Sequence, residues 1–595
     1  MHTGMRTRNW LCVVGLIAAG GTACGGGEKG VRRGPAGATA ESAQLARLGV
    51  DVWQWTLQTN PVMATHLGVP GYDDQLSDAS LQGIEKHRGL AKSFLARADA
   101  IAIEGLTSRE RITRSILIHE LTGGVEGAVC KGELWMVDHL WGPQVWFLNL
   151  GTQTRVKTED DEDNYLSRLS KFGTYVDQKI AGLRVGLEQG LVAPKLNIER
   201  SLRQLEELAA LSTDDFVLLQ AAAGIPEARR AQFRKAIAAE VDETVRPAYR
   251  RYTAFLTDEL LPRARDAVGV GALPLGAPCY AALIRSHTSR DDTPQQLHDL
   301  GLSEMTRIRG EMEALSAKLF PGKPLEQVLP MLRDDPVYGF TSRDEVEAAA
   351  VTAVKRAESK LAEAFSVLPQ APVEVQRLEA HAEKDSPMAY YRNPSSDGEQ
   401  PGTYYVNTYL PEKRPRYTAE VLAFHEAVPG HHLQIAIAME VPELPEFQKH
   451  AGTTAFTEGW GLYSERLSQE MGLYTGDMDL LGMLSFDAWR AARLVVDTGM
   501  HSLGWTRQQA IDYMAANTAS TLPDIENEVD RYITWPAQAL AYKVGQIEIL
   551  RLREKARRQL GDKFDLREFH KRVLQHGAVP LGVLAEEIDR WIDGV

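Results

Sequence analysis

The chain has 595 residues, 44% hydrophobic and 25% charged, the balance of an ordinary globular protein long enough for several domains. Its formal net charge is −14. That balance argues against nucleic-acid binding, which requires a basic face, so no nucleic acid is expected among its partners.

Residues 1–24 read as a targeting segment. Arg6 and Arg8 form a basic start, whose loss would leave the mature chain more acidic still, and Trp10 to Ala19 an apolar stretch. That stretch is too short to span a bilayer as a helix, which needs about 20 residues. Gly21-Thr-Ala-Cys24, followed by glycines, resembles a bacterial lipobox, in which the cysteine is acylated and becomes the mature N-terminus. The match is good at Ala23 and Cys24 and departs at Gly21, where such motifs prefer Leu; secretion with cleavage nearby is the alternative. Residues 25–39 read as a flexible tether. No other apolar run is long enough to cross a membrane. The expectation is an exported protein at the outer membrane or in the periplasm, touching the membrane only through lipid on Cys24. Cys12 leaves with the leader, and Cys130 and Cys279 remain. An exported protein permits a disulfide between them, though sequence leaves the pairing open.

Residues 40–367 form a helical lobe by their periodicity. Apolar positions recur at three- and four-residue spacing in Leu45–Leu57, Tyr165–Val192 and Glu347–Phe365. Trp135, Trp141 and Trp146 cluster between helices, as core or as the lining of a groove.

Residues 368–595 form the catalytic region. Val373–Ala380, Met388–Arg392 and Gly402–Thr408 read as strands separated by turns. An edge strand of such a sheet can pair with an extended peptide, with Tyr404, Tyr405 and Asn407 as candidate contacts; a sheet that merely closes the core is the alternative.

Next comes Val421-Leu-Ala-Phe-His425-Glu426-Ala-Val-Pro429-Gly430-His431-His432. Thr418 is the N-cap candidate and Glu420 falls in the first turn, so His425 and Glu426 lie on a helix. Three His and one Glu within eight residues stand out in a chain with only 15 His. In H-E-x-x-H zinc peptidases the two His share a helix face and the Glu activates water. Here the i+4 position is Pro429, and in a regular helix the residue at i+7 lies roughly 10.5 Å away. A bulge at Pro429-Gly430 would return His431 to the side of His425. His431 is the preferred second ligand, with His432 in reserve.

A long helix is expected from Phe447 to Met471. Glu458, 33 residues beyond His425, is the candidate third ligand, completing a two-His, one-carboxylate set for a single Zn²⁺. Glu465, two turns later on the same face, is a candidate support for the ligands. Tyr542 is the first candidate for oxyanion stabilisation and His501 the second. Arg531 or Lys543 is the candidate to hold a substrate carboxylate.

Four segments taken together carry a resemblance. His425-Glu-x-x-Pro-Gly-His-His432, Glu458-Gly-Trp-Gly-Leu-Tyr463, Asp497-Thr-Gly-x-His501 with Trp505, and Pro536-x-Gln538-Ala-Leu-x-Tyr542-Lys543-x-Gly545 are similar in kind and order to the bacterial family termed domain of unknown function 885. The resemblance covers nearly all of the mature chain. It implies a mainly α, two-lobed, helical metallopeptidase-like fold with a small β-sheet beside the metal helix. That fold is similar to the angiotensin-converting-enzyme, thimet-oligopeptidase and thermostable-carboxypeptidase groups. It also implies Glu426 as general base, His425, His431 and Glu458 as zinc ligands, and short or unfolded peptides as substrates. Alternatives are another metal-dependent amide or ester hydrolase, or a lipid-anchored peptide-binding protein with an inactive site.

Overall fold

Three- and four-residue apolar periodicity yields helices along most of the chain, as its pattern predicts. A computed structural model describes residues 39–378, 383, 387–394 and 401–595. The leader, Cys24 and all of the tether except Thr39 lie outside the described residues. The architecture is mainly α, with one small sheet. No described helix is long and apolar enough to cross a membrane. Cys130 and Cys279 are both disulfide-bonded.

The chain divides into two units, described in turn. The first comprises residues 39–268 with Leu273–Leu275. Thr107 and Thr158 start two of its helices with capping boxes, each closed by an acidic residue at the third helical position. The periodic run Tyr165–Val192 is two helices, Glu159–Ser170 and Phe172–Glu188, interrupted at Lys171. Their buried faces meet around Phe147 and Phe172, whose rings stack 3.7 Å apart. Trp146 packs edge-on against Phe147 and Tyr175, and Trp135 is buried. These two tryptophans belong to the core rather than to a groove.

The second unit comprises Gly269–Ala272 and Gly276–Val595. The division thus falls near residue 268 rather than at 367. Helices α1 (Gly276–Thr288), α2 (Pro294–Leu319) and α3 (Arg343–Glu358) belong with the later helices of this unit because they pack on them. Three strands follow: β1 (Val373–Arg377), β2 (Ala389–Arg392) and β3 (Gly402–Val406). Then come α4 (Ala419–Glu426), α5 (His431–Glu440), α6 (Thr454–Glu470) and α7 (Asp477–Ser502). Last of the elements used below are α8 (Leu522–Thr534) and α9 (Ala541–Leu560). Helix α2 lies against α7 so closely that a Cβ on Gly301 would sit 2.7 Å from Leu494 Cβ. Arg356 of α3 pairs with Glu420 of α4 at 2.5 Å.

The strands match their sequence reading to within a few residues. Their order is β1-β3-β2, with β3 parallel to β1 and antiparallel to β2. Both edges of β3 are therefore hydrogen-bonded, which removes the expected pairing of this strand with a substrate backbone. The long helix expected from Phe447 is also divided: Glu446–Lys449 is a single turn, and α6 begins only at Thr454.

Candidate metal centre

Helix α4 ends with His425 and Glu426. Pro429 has no N–H to continue it, and Gly430 folds the chain back over its end. A Cβ on Gly430 would lie 1.9 Å from the His425 carbonyl oxygen, so only glycine fits. The Trp460 indole donates to the Pro429 carbonyl at 2.9 Å, tying the turn to α6. A second helix then starts at His431. The expected bulge within one helix is thus a break between two, with the same outcome for the ligands. The His425 and His431 rings lie 4.6 Å apart at 85°.

Helix α6 brings Glu458 to both. Its Oε2 is 3.8 Å from His425 Nε2 and 3.5 Å from His431 Nε2. The three ligand atoms all lie within 4.8 Å of one another, and all three residues are buried. The glycines around Trp460 have a steric purpose. A Cβ on Gly461 would stand 2.7 Å from His425 Cε1, and one on Gly459 would stand 2.4 Å from the Gly545 Cα of α9. The imidazole and the neighbouring helix therefore approach the α6 backbone itself.

Burial opposes charge on Glu458, but the two imidazoles outweigh it and hold the carboxyl well below its usual range. Burial likewise lowers the His425 pKa, yet Glu458 and Glu465 raise it to about 9. Both Glu458 oxygens and His431 Nδ1 are buried without a hydrogen-bond partner. Such orphans are rare in native interiors and call for an explanation. Two imidazoles and a carboxylate converging on one point fit Zn²⁺ with a fourth position open.

His432 is not part of this cluster. Its Nδ1 bonds the Tyr391 hydroxyl at 2.9 Å and its Nε2 donates to the Ala371 carbonyl at 3.0 Å. Burial lowers its pKa to about 4. Geometry thus decides between the two histidines in favour of His431. Glu465 supports His425, accepting from Nδ1 at 2.8 Å.

Glu426 is partly exposed beside His425. Tyr404 of β3 is buried within electrostatic reach of it; burial first, and then Glu426, raise the tyrosine pKa. Tyr405 points to the other face of β3, against Tyr390 and under Arg392. Asn407 is buried, its amide donating to the Glu383 carbonyl at 2.6 Å while its oxygen accepts from Tyr409 N. It braces a loop instead of facing substrate.

Tyr542 is buried, and its pKa is raised by burial and then by the charge of Glu458. His501 does not join the site. Its Nδ1 accepts from Val270 N and its Nε2 donates to the Tyr532 carbonyl, both at 3.0 Å, leaving no nitrogen for an oxyanion. Lys543 is fully buried, donating to Asp487 at 2.5 Å and Gln546 at 2.7 Å, and is unavailable to a substrate. Arg531 lies near Tyr542 but is held by Glu528 at 2.9 Å and Gln538 at 2.7 Å.

Two arginines of α7 escaped the sequence reading. Arg490 approaches Glu465 at 3.5 Å, and the Arg493 guanidinium lies 4.2 Å from the centre of the Tyr542 ring. One signal was present: Asp487, Arg490, Asp497 and His501 fall three, seven and four residues apart along a mostly apolar helix, a polar stripe with Arg493 beside it.

No curated protein matches the chain significantly. A solved structure from Colwellia psychrerythraea is similar with a TM-score of 0.87 and 27% identity, covering 94% of this chain and 100% of that one. A second, from Shewanella oneidensis, gives a TM-score of 0.71 at 20% identity over 92% and 99% of the two chains, which shows a shared fold. Both are described as a "putative lipoprotein", the second "of unknown function". The model of the family "Bacterial protein of unknown function (DUF885)" matches residues 61–588, the greater part of the chain, and the protein belongs to that family.

Proposed function

We propose that the protein is a zinc-dependent peptidase of the bacterial cell envelope, acting on short or unfolded peptides. The observation that carries this reading is the position of Glu426. A carboxylate directly follows His425 at the rim of a buried His-His-Glu cluster, where a structural or storage site has no need of one. The leader-like residues 1–24 and the description of both structural relatives support the envelope location.

His425 Nε2, His431 and Glu458 would hold the ion. Bound Zn²⁺ supplies Lewis-acid polarisation of a carbonyl oxygen and lowers the pKa of water. Glu426 takes the proton of the attacking water on its carboxylate and delivers it to the nitrogen of the departing amine. The Tyr542 hydroxyl donates to the oxygen that gains charge as the carbonyl carbon becomes tetrahedral. Glu465 keeps the His425 ring in one tautomer, with Nε2 turned toward Glu458.

The test is hydrolysis of a mixed peptide library by zinc-supplemented wild type and Glu426→Gln. Wild-type cleavage that falls by about 10²- to 10⁴-fold in the variant, at equal zinc content, supports the reading. Intact peptides after incubation with zinc-loaded wild type would overturn it and favour a peptide-binding protein.

A further inference from the structure

Three helices meet at one oxygen behind the His-His-Glu cluster. Glu465 Oε1, on α6, accepts from His425 Nδ1 of α4 at 2.8 Å, and Arg490 Nη2 of α7 stands 3.5 Å from the same atom. Glu465 is 0% exposed and Arg490 5%, so salt and water screen this pair little. Arginine and a carboxylate commonly meet in a two-bond fork, each nitrogen taking one oxygen. That fork is not made here: Glu465 Oε2 and Arg490 Nε are both buried without a partner. Guanidinium and imidazole converge on one oxygen, and the other is left out.

The guanidinium is itself held. Its Nη1 donates to the Phe486 carbonyl, one turn back in α7, at 3.3 Å. The Phe486 and Trp489 rings lie 4.5 Å and 5.0 Å from its central carbon, contacts that favour a cation. On the other side the His425 ring lies against the α6 backbone, where a Cβ on Gly461 would stand 2.7 Å from its Cε1. One hydrogen bond to the imidazole leaves a glutamate carboxylate free to swing about its own side-chain bonds. A charged neighbour at the same oxygen restricts that motion.

We propose that Arg490 is a positioning residue of the candidate metal centre. It holds the Glu465 carboxylate so that Oε1 stays on His425 Nδ1 and the opposite nitrogen, Nε2, stays turned toward Glu458, 3.8 Å away. The inference rests on the reading of His425, His431 and Glu458 as metal ligands, and it adds a link from α7, a helix that supplies none of the three. The direction of the effect separates positioning from charge. Removing a positive charge near a cation site by itself tightens cation binding, whereas releasing the support of a ligand weakens it.

The test is zinc affinity, by competition with a chromophoric chelator, of wild type, Arg490→Met, Glu465→Gln and the double variant. Methionine keeps much of the apolar bulk of arginine and removes its charge. The expected result is roughly 5-fold weaker zinc binding in Arg490→Met, with no further loss when that substitution is added to Glu465→Gln. Cobalt(II) in place of zinc should give the same altered visible spectrum in both single variants. Unchanged or tighter zinc binding in Arg490→Met overturns the proposal. Equal weakening in both backgrounds also overturns it, since a merely structural arginine acts without regard to Glu465. A wild-type cobalt spectrum in Arg490→Met does the same. Should Arg490→Met fail to fold, Arg490→Gln takes its place in the cycle. Wild type that binds no zinc overturns the metal reading, and this inference falls with it. Zinc-binding wild type whose affinity is indifferent to Arg490 overturns this inference alone.

Discussion

Glu465 Oε1 accepts the Nδ1 proton of His425 at 2.8 Å, from the same helix that presents Glu458 two turns earlier. One helix thus offers a candidate ligand and orients another, and the arrangement depends on Gly461 between them. Arg490 approaches the same Glu465 oxygen from α7 at 3.5 Å.

Replacing Glu465 by Gln should therefore weaken zinc binding without removing a ligand. Loss of such a supporting carboxylate typically costs 10- to 100-fold in metal affinity, and about that is expected here. Competition with a chromophoric chelator measures it. An unchanged Kd would mean that Glu465 is only a buried partner for Arg490.

Gly461→Ala should disrupt the centre through packing. The added Cβ would stand 2.7 Å from His425 Cε1, and α6 cannot withdraw because Gly459 already meets Gly545. Overpacking of this sort costs roughly 1–3 kcal/mol. A lower Tm together with reduced zinc content is expected. Gly582→Ala is the control, since nothing lies within 4 Å of its added Cβ. Equal effects of the two substitutions would contradict this account.

The grouping of His425, His431 and Glu458 was legible because its signals are local. Three histidines around a Pro-Gly pair and a glutamate between glycines can be read from spacing alone. The strands were legible from alternation and turns. What failed depended on partners far away in sequence. Lys543 is engaged by Asp487, 56 residues earlier, and His501 by Val270, 231 residues earlier. His432 is claimed by Tyr391 and Ala371 on the sheet side. The central place of β3 depends on strand order, which the strand sequences do not encode. Arg490 and Arg493 were passed over because charges on a helix usually face solvent, whereas every residue of α7 from 481 to 501 is buried.

His431→Ala and His432→Ala should separate ligand from brace. The first removes a donor from the cluster and should abolish stoichiometric zinc. The second leaves the Tyr391 hydroxyl and the Ala371 carbonyl without their partner, at a cost of about 1–3 kcal/mol, while zinc is retained. Metal analysis and denaturant unfolding of both variants check this. Zinc loss in His432→Ala alone would reverse the assignment.

Asp497 should give stability an unusual dependence on pH. Burial raises its folded pKa to about 7, whereas the Tyr280 hydroxyl and Ala537 N–H act in the opposite direction. The folded state then binds a proton that the unfolded chain releases near pH 4. This group's contribution is therefore most favourable in acid and is lost as pH rises through 7. Asp497→Asn, which mimics the protonated form, should gain on wild type by at most about 2.5 kcal/mol between pH 5 and 8. Parallel stability curves would show that Asp497 is ionised throughout.

The central claim is that His425, His431 and Glu458 hold one zinc ion. The most direct measurement is metal content by mass spectrometry of wild type, Glu458→Gln and Glu426→Gln, each folded and equilibrated with zinc before desalting. The account predicts close to one zinc per chain in wild type and Glu426→Gln, and a large loss in Glu458→Gln. Wild type that retains no zinc, or a Glu458→Gln variant that retains as much as wild type, would contradict it.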